Sequence, residues 1–265
     1  MTAMKISCIQ MDMRLGEVDF NFSRAEKLIR AAVEQDGPDT VVLPELWSTG
    51  FFPKELAPCA DQAGERTQSV FSALAKELNV NIVCGSVVTK RAEVFFNTAY
   101  VFGRTGAVVA EYDKTHLFTP SGEHEYFQAG SHICRFALDG KKCGIIICYD
   151  LRFPELTRTL ALEGIELLFV PAQWPEKRTM HLMTLARARA IENQIFLALC
   201  NSVGTAGETH CGGHSAIIDP WGEYLARAWD GEETITGEAD FAVIDGIRGS
   251  INVFRDRRPG LYQIH

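Results

Sequence analysis

KKCGIIICYDLRFPEL, residues 141–156, is the stretch on which the fold turns. Two lysines lead into a continuous apolar run that stops at Cys148, Tyr149 and Asp150, and Arg152, a Phe-Pro pair and an amphipathic run follow. An apolar run this short, closed by charge, reads as a buried strand, and the run after Phe153-Pro154 reads as a helix. Strand, turn and helix in that order place the Cys148 thiol at the carboxyl end of a strand, where α/β folds collect their ligands. The positive end of the helix beginning near Pro154, with a neighbouring cation, would favour thiolate there. A packed cysteine closing a strand fits the same residues. This stretch alone leaves both readings open.

The same alternation runs through the chain. KISCIQM, TVVLP, VNIVCGSVV, FFNTAYVFG, AVVAEYD, CGIIIC, ELLFVP, IFLALCN, HSAIID and TITGEAD have the β-branched, apolar character of strands. NFSRAEKLIRAAVEQ, RTQSVFSALAKELN, FPELTRTLALEG and PEKRTMHLMTLARARAIENQ have helical spacing, the last expected to open at Pro175. GRTG, residues 103–106, predicts a hairpin. With no linker, repeat or low-complexity tract, residues 1–265 are expected to form one α/β domain of two sheets with helices outside them.

Composition narrows the partners. Apolar residues make up 46% and charged residues 23%, the proportions of a soluble globular chain. No apolar run approaches the roughly 18 residues of a membrane span. A net charge of −8 without a basic stripe argues against nucleic acid. MTAMKISCIQMDM has no basic region, hydrophobic region or cleavage site of a secretion signal. The eight cysteines include no CxxC pair, and Cys8, Cys84, Cys143, Cys148 and Cys200 lie in strand-like runs, which points to free thiols in a reducing cytosol. HCGGH, residues 210–214, is read as a glycine-rich loop entering a strand, not as a metal site.

Three further segments carry charge: a buried run, a strand end and a loop. VVLPELWSTGF stops at Glu45, AEYDKTHLF carries Lys114, and TPSGEHEYFQAG carries Glu123 nine positions after that lysine. Singly, each charge is explained by a solvated strand end. Together with Cys148 they set the order Glu, Lys, Glu, Cys along the chain.

That order, in LPELWSTGF, YDKTHLF, GEHEYFQAG and GIIICYDLRFPEL, resembles the nitrilase, or carbon–nitrogen hydrolase, superfamily over almost the whole chain. VPAQWP, ARARAIENQ and DRRPGLY are similar to its ω-amidase-like branch, which cleaves side-chain amides of small dicarboxylic acid monoamides. The resemblance implies a four-layer α-β-β-α sandwich and an extended homodimer, or higher homo-oligomer, joined through helices next to the nucleophile. It implies that Cys148 attacks an amide and forms a thioester, with Glu45 as general base. Lys114 and a backbone N–H after Cys148 would hold the oxyanion, and Glu123 would orient Lys114 or the substrate. No metal or organic cofactor is called for.

Tyr149, Arg152 and Trp174 are the residues assigned to the substrate side. Arg152 has two readings, a paired contact with a substrate carboxylate or an ion pair with Asp150 or Glu155 that braces the turn. Trp174 suits a pocket wall or buried packing. His116, two residues after Lys114, opens a papain-like Cys–His alternative. The expected activity is hydrolysis of a small ω-amide acid of the 2-oxoglutaramate kind. N-carbamoyl hydrolysis is the nearest rival, with nitrilase, ammonia-feeding glutaminase and non-catalytic scaffold or ligand-binding readings behind it.

Overall fold

Alternation within β1 (Ala3–Gln10) sets the layering of the molecule in the computed structural model, which describes residues 2–51 and 55–262. Met4, Ile6 and Cys8 face a second sheet, while Ile9 joins a separate apolar layer under helices. The chain continues through α1 (Val18–Asp36), β2 (Thr40–Val42), β3 (Asp61–Gln62), α2 (Glu65–Leu78), β4 (Asn81–Arg91), β5 (Val94–Phe102) and β6 (Val108–Asp113). After α3 (Glu123–Tyr126) come β7 (Cys134–Leu138), β8 (Lys141–Ile145), α4 (Pro154–Leu162), β9 (Leu167–Ala172), α5 (Thr179–Asn193) and β10 (Phe196–Asn201). The rest is β11 (Val203–Ala206), β12 (Thr209–Gly212), β13 (Ala216–Ile218), β14 (Tyr224–Arg227), β15 (Glu233–Asp240) and α6 (Val243–Ser250).

One sheet has the order β15-β1-β2-β4-β5-β6, with β3 beside the far end of β4; the other has the order β14-β13-β10-β9-β8-β7. In each, a parallel centre (β1, β2, β4 and β8, β9, β10) is flanked by antiparallel strands. Parallel neighbours need crossovers, and α1, α2, α4 and α5 provide them. The period-2 pattern of the strands then separates the cores. Val42, Val83, Ala99 and Val101 meet the second sheet. The residues between them, Val41, Ile82, Tyr100 and Phe102, pack with Phe22, Ala25 and Ile29 of α1 and Phe71 and Leu74 of α2. Burying each such large side chain stabilises by roughly 1.5–3 kcal/mol. The result is the four-layer α-β-β-α sandwich.

Polar contacts cross the plane between the sheets. The Cys200 thiol of β10 donates toward the carbonyls of Ile9 (3.3 Å) and Val42 (3.2 Å). The Glu45 N–H reaches the Ala172 carbonyl at 3.3 Å. All eight cysteines are free thiols.

Two expectations shift. The strand expected to run to Cys148 ends at Ile145, because Cys148 adopts φ 46° and opens a 3-10 turn, Cys148–Arg152, ahead of α4. The helix expected to open at Pro175 begins at Thr179, after a separate 3-10 turn over Glu176–Arg178. The strands β3, β7, β11, β12 and β14, of two to five residues each, are too short to be read from pattern. HCGGH is not wholly loop, since His210–Gly212 belongs to β12, which pairs with β11.

Candidate active site

Glu45, Lys114 and Cys148 all follow strands that end on one edge of the sandwich. Glu45 lies three residues past β2, Lys114 directly follows β6, and Cys148 lies three residues past β8. The turn that carries Glu45 is held from several sides. Trp47 wedges between Phe22 and Phe71, with ring centroids 4.7 and 5.3 Å away, and its Nε1 donates to the Cys84 carbonyl at 2.7 Å. Ser86 Oγ accepts from the Leu46 N–H at 3.0 Å. Gly85, at φ 55°, lets β4 pass so close that a Cβ there would lie 1.9 Å from the Pro44 carbonyl oxygen. Only glycine fits that approach. Leu46, at φ 46°, takes the left-handed conformation that a side chain resists, as Cys148 does. Strained turns thus present both the carboxylate and the thiol.

The charged groups meet in a buried cluster. Lys114 Nζ donates to Glu45 Oε1 at 2.7 Å and to Glu123 Oε1 and Oε2 at 3.0 and 2.9 Å. Glu45 and Glu123 are fully buried and Lys114 is 1% exposed. The Gln173 N–H donates to Glu45 Oε2 at 2.9 Å, and the Phe118 N–H to Glu123 Oε2 at 2.5 Å. Buried charges survive only when paired and hydrogen-bonded, and each of these is. Lys114 therefore joins both carboxylates.

Burial raises the Glu45 carboxyl above its ordinary range, helped by Glu123 and opposed by Lys114. Burial and the Glu45 charge push the Cys148 thiol well up, more than Lys114 draws it down. Burial works against the Lys114 ammonium, but Glu123 and Glu45 outweigh it and hold that group well above its usual range. Burial and Glu45 thus favour the neutral thiol of Cys148, against the pull toward thiolate expected from the helix end and a nearby cation.

A cavity of about 200 Å³ opens over Cys148 and Lys114. Tyr149, Arg152, Trp174 and Arg178 line it, so each residue assigned to the substrate side borders the same space. The bracing ion pair of Arg152 with Asp150 or Glu155 does not form. Asp150 is occupied by Tyr112 Oη (2.8 Å), the Ile147 N–H (2.9 Å) and both the N–H (2.9 Å) and Nδ1 (2.8 Å) of His116. Arg152 lies over the Trp174 ring at 4.5 Å, and Arg178 over the Phe118 ring at 5.2 Å. Among the described residues neither guanidinium has an acidic partner. Trp174 combines both roles considered for it. It is buried, with Nε1 on the Arg178 carbonyl at 2.9 Å, and it walls the cavity.

His116 stacks on Phe153 at 3.7 Å and faces Asp150, which explains it as a clasp between the Lys114 loop and the turn that carries Cys148. The Cys–His alternative finds no support in that arrangement. Asp150, considered in the sequence only as a partner of Arg152, and Asn97, not singled out there, both contribute. Asp150 ties these loops together, and Asn97 touches both buried carboxylates. The asparagine inside FFNTAYVFG, a polar residue within an apolar strand, was the available signal.

Comparison with known proteins agrees with this geometry. The family model for carbon–nitrogen hydrolases matches residues 5–248. A 2-oxoglutaramate amidase of Bacillus subtilis (strain 168) is 42% identical over 257 residues, 97% of this chain and 98% of its own. The human omega-amidase NIT2 is 32% identical, over 100% of this chain and 98% of its own. Among solved structures, a variant amidase from Nesterenkonia sp. AN1 superposes with a TM-score of 0.86 at 26% identity, over 97% of this chain and 95% of its own. That structure carries the acetamide moiety of fluoroacetamide covalently added at its active-site cysteine.

Proposed function

The chain belongs to the carbon–nitrogen hydrolase family, and from that premise we propose a cysteine-dependent amidase. It hydrolyses a small ω-amide carboxylic acid, of the 2-oxoglutaramate kind, to the dicarboxylate and ammonia. One observation carries the reading. The Glu45–Lys114–Cys148 cluster opens on a cavity of about 200 Å³ whose wall also holds two guanidiniums that have no acidic partner among the described residues.

In this reading Cys148 Sγ attacks the amide carbonyl while Glu45 takes the thiol proton. Proton transfer and attack go together, because the thiol is held neutral until the carbonyl arrives. The oxyanion forms against the Lys114 ammonium and the backbone N–H that follows Cys148. Glu45 then passes its proton to the departing nitrogen, which leaves as ammonia, and a thioester remains. Water deprotonated by Glu45 adds to the thioester, and its collapse returns the thiol and the acid. Glu123 keeps Lys114 aimed throughout. Tyr149 and Trp174 wall the acyl chain, and Arg152 with Arg178 receives the distal carboxylate. The similarity to a 2-oxoglutaramate amidase and an omega-amidase supports that substrate class.

We read the whole chain as one such domain. Free thiols throughout fit the cytosol, and among the described residues no helix is long and apolar enough to cross a membrane. Leu162 of α4 and Met180 and Ile191 of α5 are exposed, which supports homodimer formation through those helices.

The substrate class is tested by kcat/KM for 2-oxoglutaramate, succinamate, butyramide and N-carbamoyl-β-alanine. A charge-assisted pair at the far end is expected to favour the ω-amide acids over butyramide by about 10- to 100-fold, since remote binding positions the carbonyl. Preference for butyramide would remove the carboxylate clamp. Preference for the carbamoyl compound would replace the amidase with a carbamoyl hydrolase.

A further inference from the structure

Asn97 sits on β5, opposite Val88 of β4, with its side chain buried in the charged cluster. Its Nδ2 donates to Glu45 Oε1 at 2.9 Å and to Glu123 Oε1 at 3.1 Å. Its carbonyl accepts the Lys114 N–H at 2.9 Å. One residue therefore holds both carboxylates through its side chain and the lysine through its main chain. Its Oδ1 is buried without a partner among the described residues. Turning the amide over would set that oxygen against two carboxylates, so the charges fix its orientation and leave the acceptor orphaned.

The two oxygens of Glu45 are consequently unlike. Oε1 takes both the Lys114 ammonium (2.7 Å) and the Asn97 amide (2.9 Å), while Oε2 takes the Gln173 N–H (2.9 Å). The carboxylate oxygen with fewer donors is the more basic. Gln173 follows β9, and its N–H also lies toward the Cys148 sulfur, so Oε2 faces the side of the nucleophile. We propose that Asn97 is a positioning residue that makes Oε2 the proton-accepting oxygen of Glu45, by sharing Oε1 with Lys114 and keeping the carboxylate from rotating. This rests on Glu45 being the general base.

Removing the two N–H donors takes stabilisation from the ionised form of Glu45. The other groups facing that carboxylate, Lys114, Glu123, Cys148 and Cys211 of β12, stay in place. A base must be ionised to work, so losing a donor to its charged form moves the acidic limb of the rate profile to higher pH. Asn97→Ala deletes the amide and Asn97→Leu replaces it at similar volume; both relieve an orphaned acceptor, and at least one is expected to fold. kcat is expected to fall about 10- to 100-fold, the range for a hydrogen bond to a charged group, with KM little changed. The acidic limb of kcat/KM moves up, and the pH dependence of Cys148 alkylation by iodoacetamide moves with it. A folded variant that loses rate equally at every pH, with both limbs where the parent has them, would reduce Asn97 to packing and overturn the proposal. Glu45→Gln keeps the two readings apart. If that variant retains the acidic limb, the base assignment fails; if it loses the limb while Asn97→Ala leaves it unmoved, the role of Asn97 alone fails.

Discussion

Cys148→Ala is expected to lower amide hydrolysis by about 10⁴-fold or more in a protein that stays folded. In the proposed mechanism every covalent step passes through that sulfur, and no other thiol borders the cavity among the described residues. The cost to stability is expected to be small, about 1 kcal/mol, because one atom is removed and Ala meets the same φ of 46° that Cys148 already tolerates. Intact mass during turnover provides the positive counterpart. The parent protein should show an adduct equal to the acyl group when a slow amide is supplied, and the variant none. Parent-level turnover in a folded Cys148→Ala protein would end the thioester mechanism.

Glu45→Gln is expected to cost about 10²- to 10⁴-fold in kcat, the usual worth of a positioned acid–base group. The substitution fits sterically and fails chemically. Each Glu45 oxygen accepts from a fixed donor, Oε1 from Lys114 and Asn97, Oε2 from Gln173. The amide of a glutamine must therefore turn an N–H toward another donor whichever way it sits. The parent should lose activity as pH falls through the raised range of the Glu45 carboxyl, since protonation removes the base; the variant should lack that limb. His116→Ala is expected to keep more activity than Glu45→Gln, because His116 is engaged with Asp150 and Phe153. The reverse order of ammonia release would restore the Cys–His reading.

The catalytic candidates were legible because each closes a strand-like run. VVLPE and CGIIIC bring a chemically costly residue just past a buried strand, AEYDK brings one to the end of a partly exposed strand, and the sheets bring those ends to one edge. The long strands and helices were legible for the same reason, since burial on one or two faces writes itself into the spacing of apolar residues. What stayed hidden depends on partners far away in the chain. Asn97 finds its two carboxylates 52 and 26 positions off, and Asp150 finds Tyr112 38 positions off. No local pattern records such a meeting. The environment of the Cys148 thiol stays hidden for a related reason. The helix and the lysine are visible nearby in sequence or motif, whereas desolvation and the opposing Glu45 charge exist only in the folded interior.

In the proposed mechanism the plane between the two sheets divides the reaction as well as the fold. Glu45 and Lys114 follow strands of one sheet, Cys148 and Gln173 follow strands of the other, and the Glu45–Ala172 and Gln173–Glu45 contacts stitch across. Neither half of the sandwich holds a working set of groups. A slip of about 1 Å between the sheets would leave helices and strands standing and still carry Cys148 out of reach of its base, a displacement that alone costs on the order of 10²-fold in rate. Turnover in this protein therefore gauges the registry of its two sheets, and is expected to fade under mild denaturant or heat before far-UV circular dichroism reports any loss of structure.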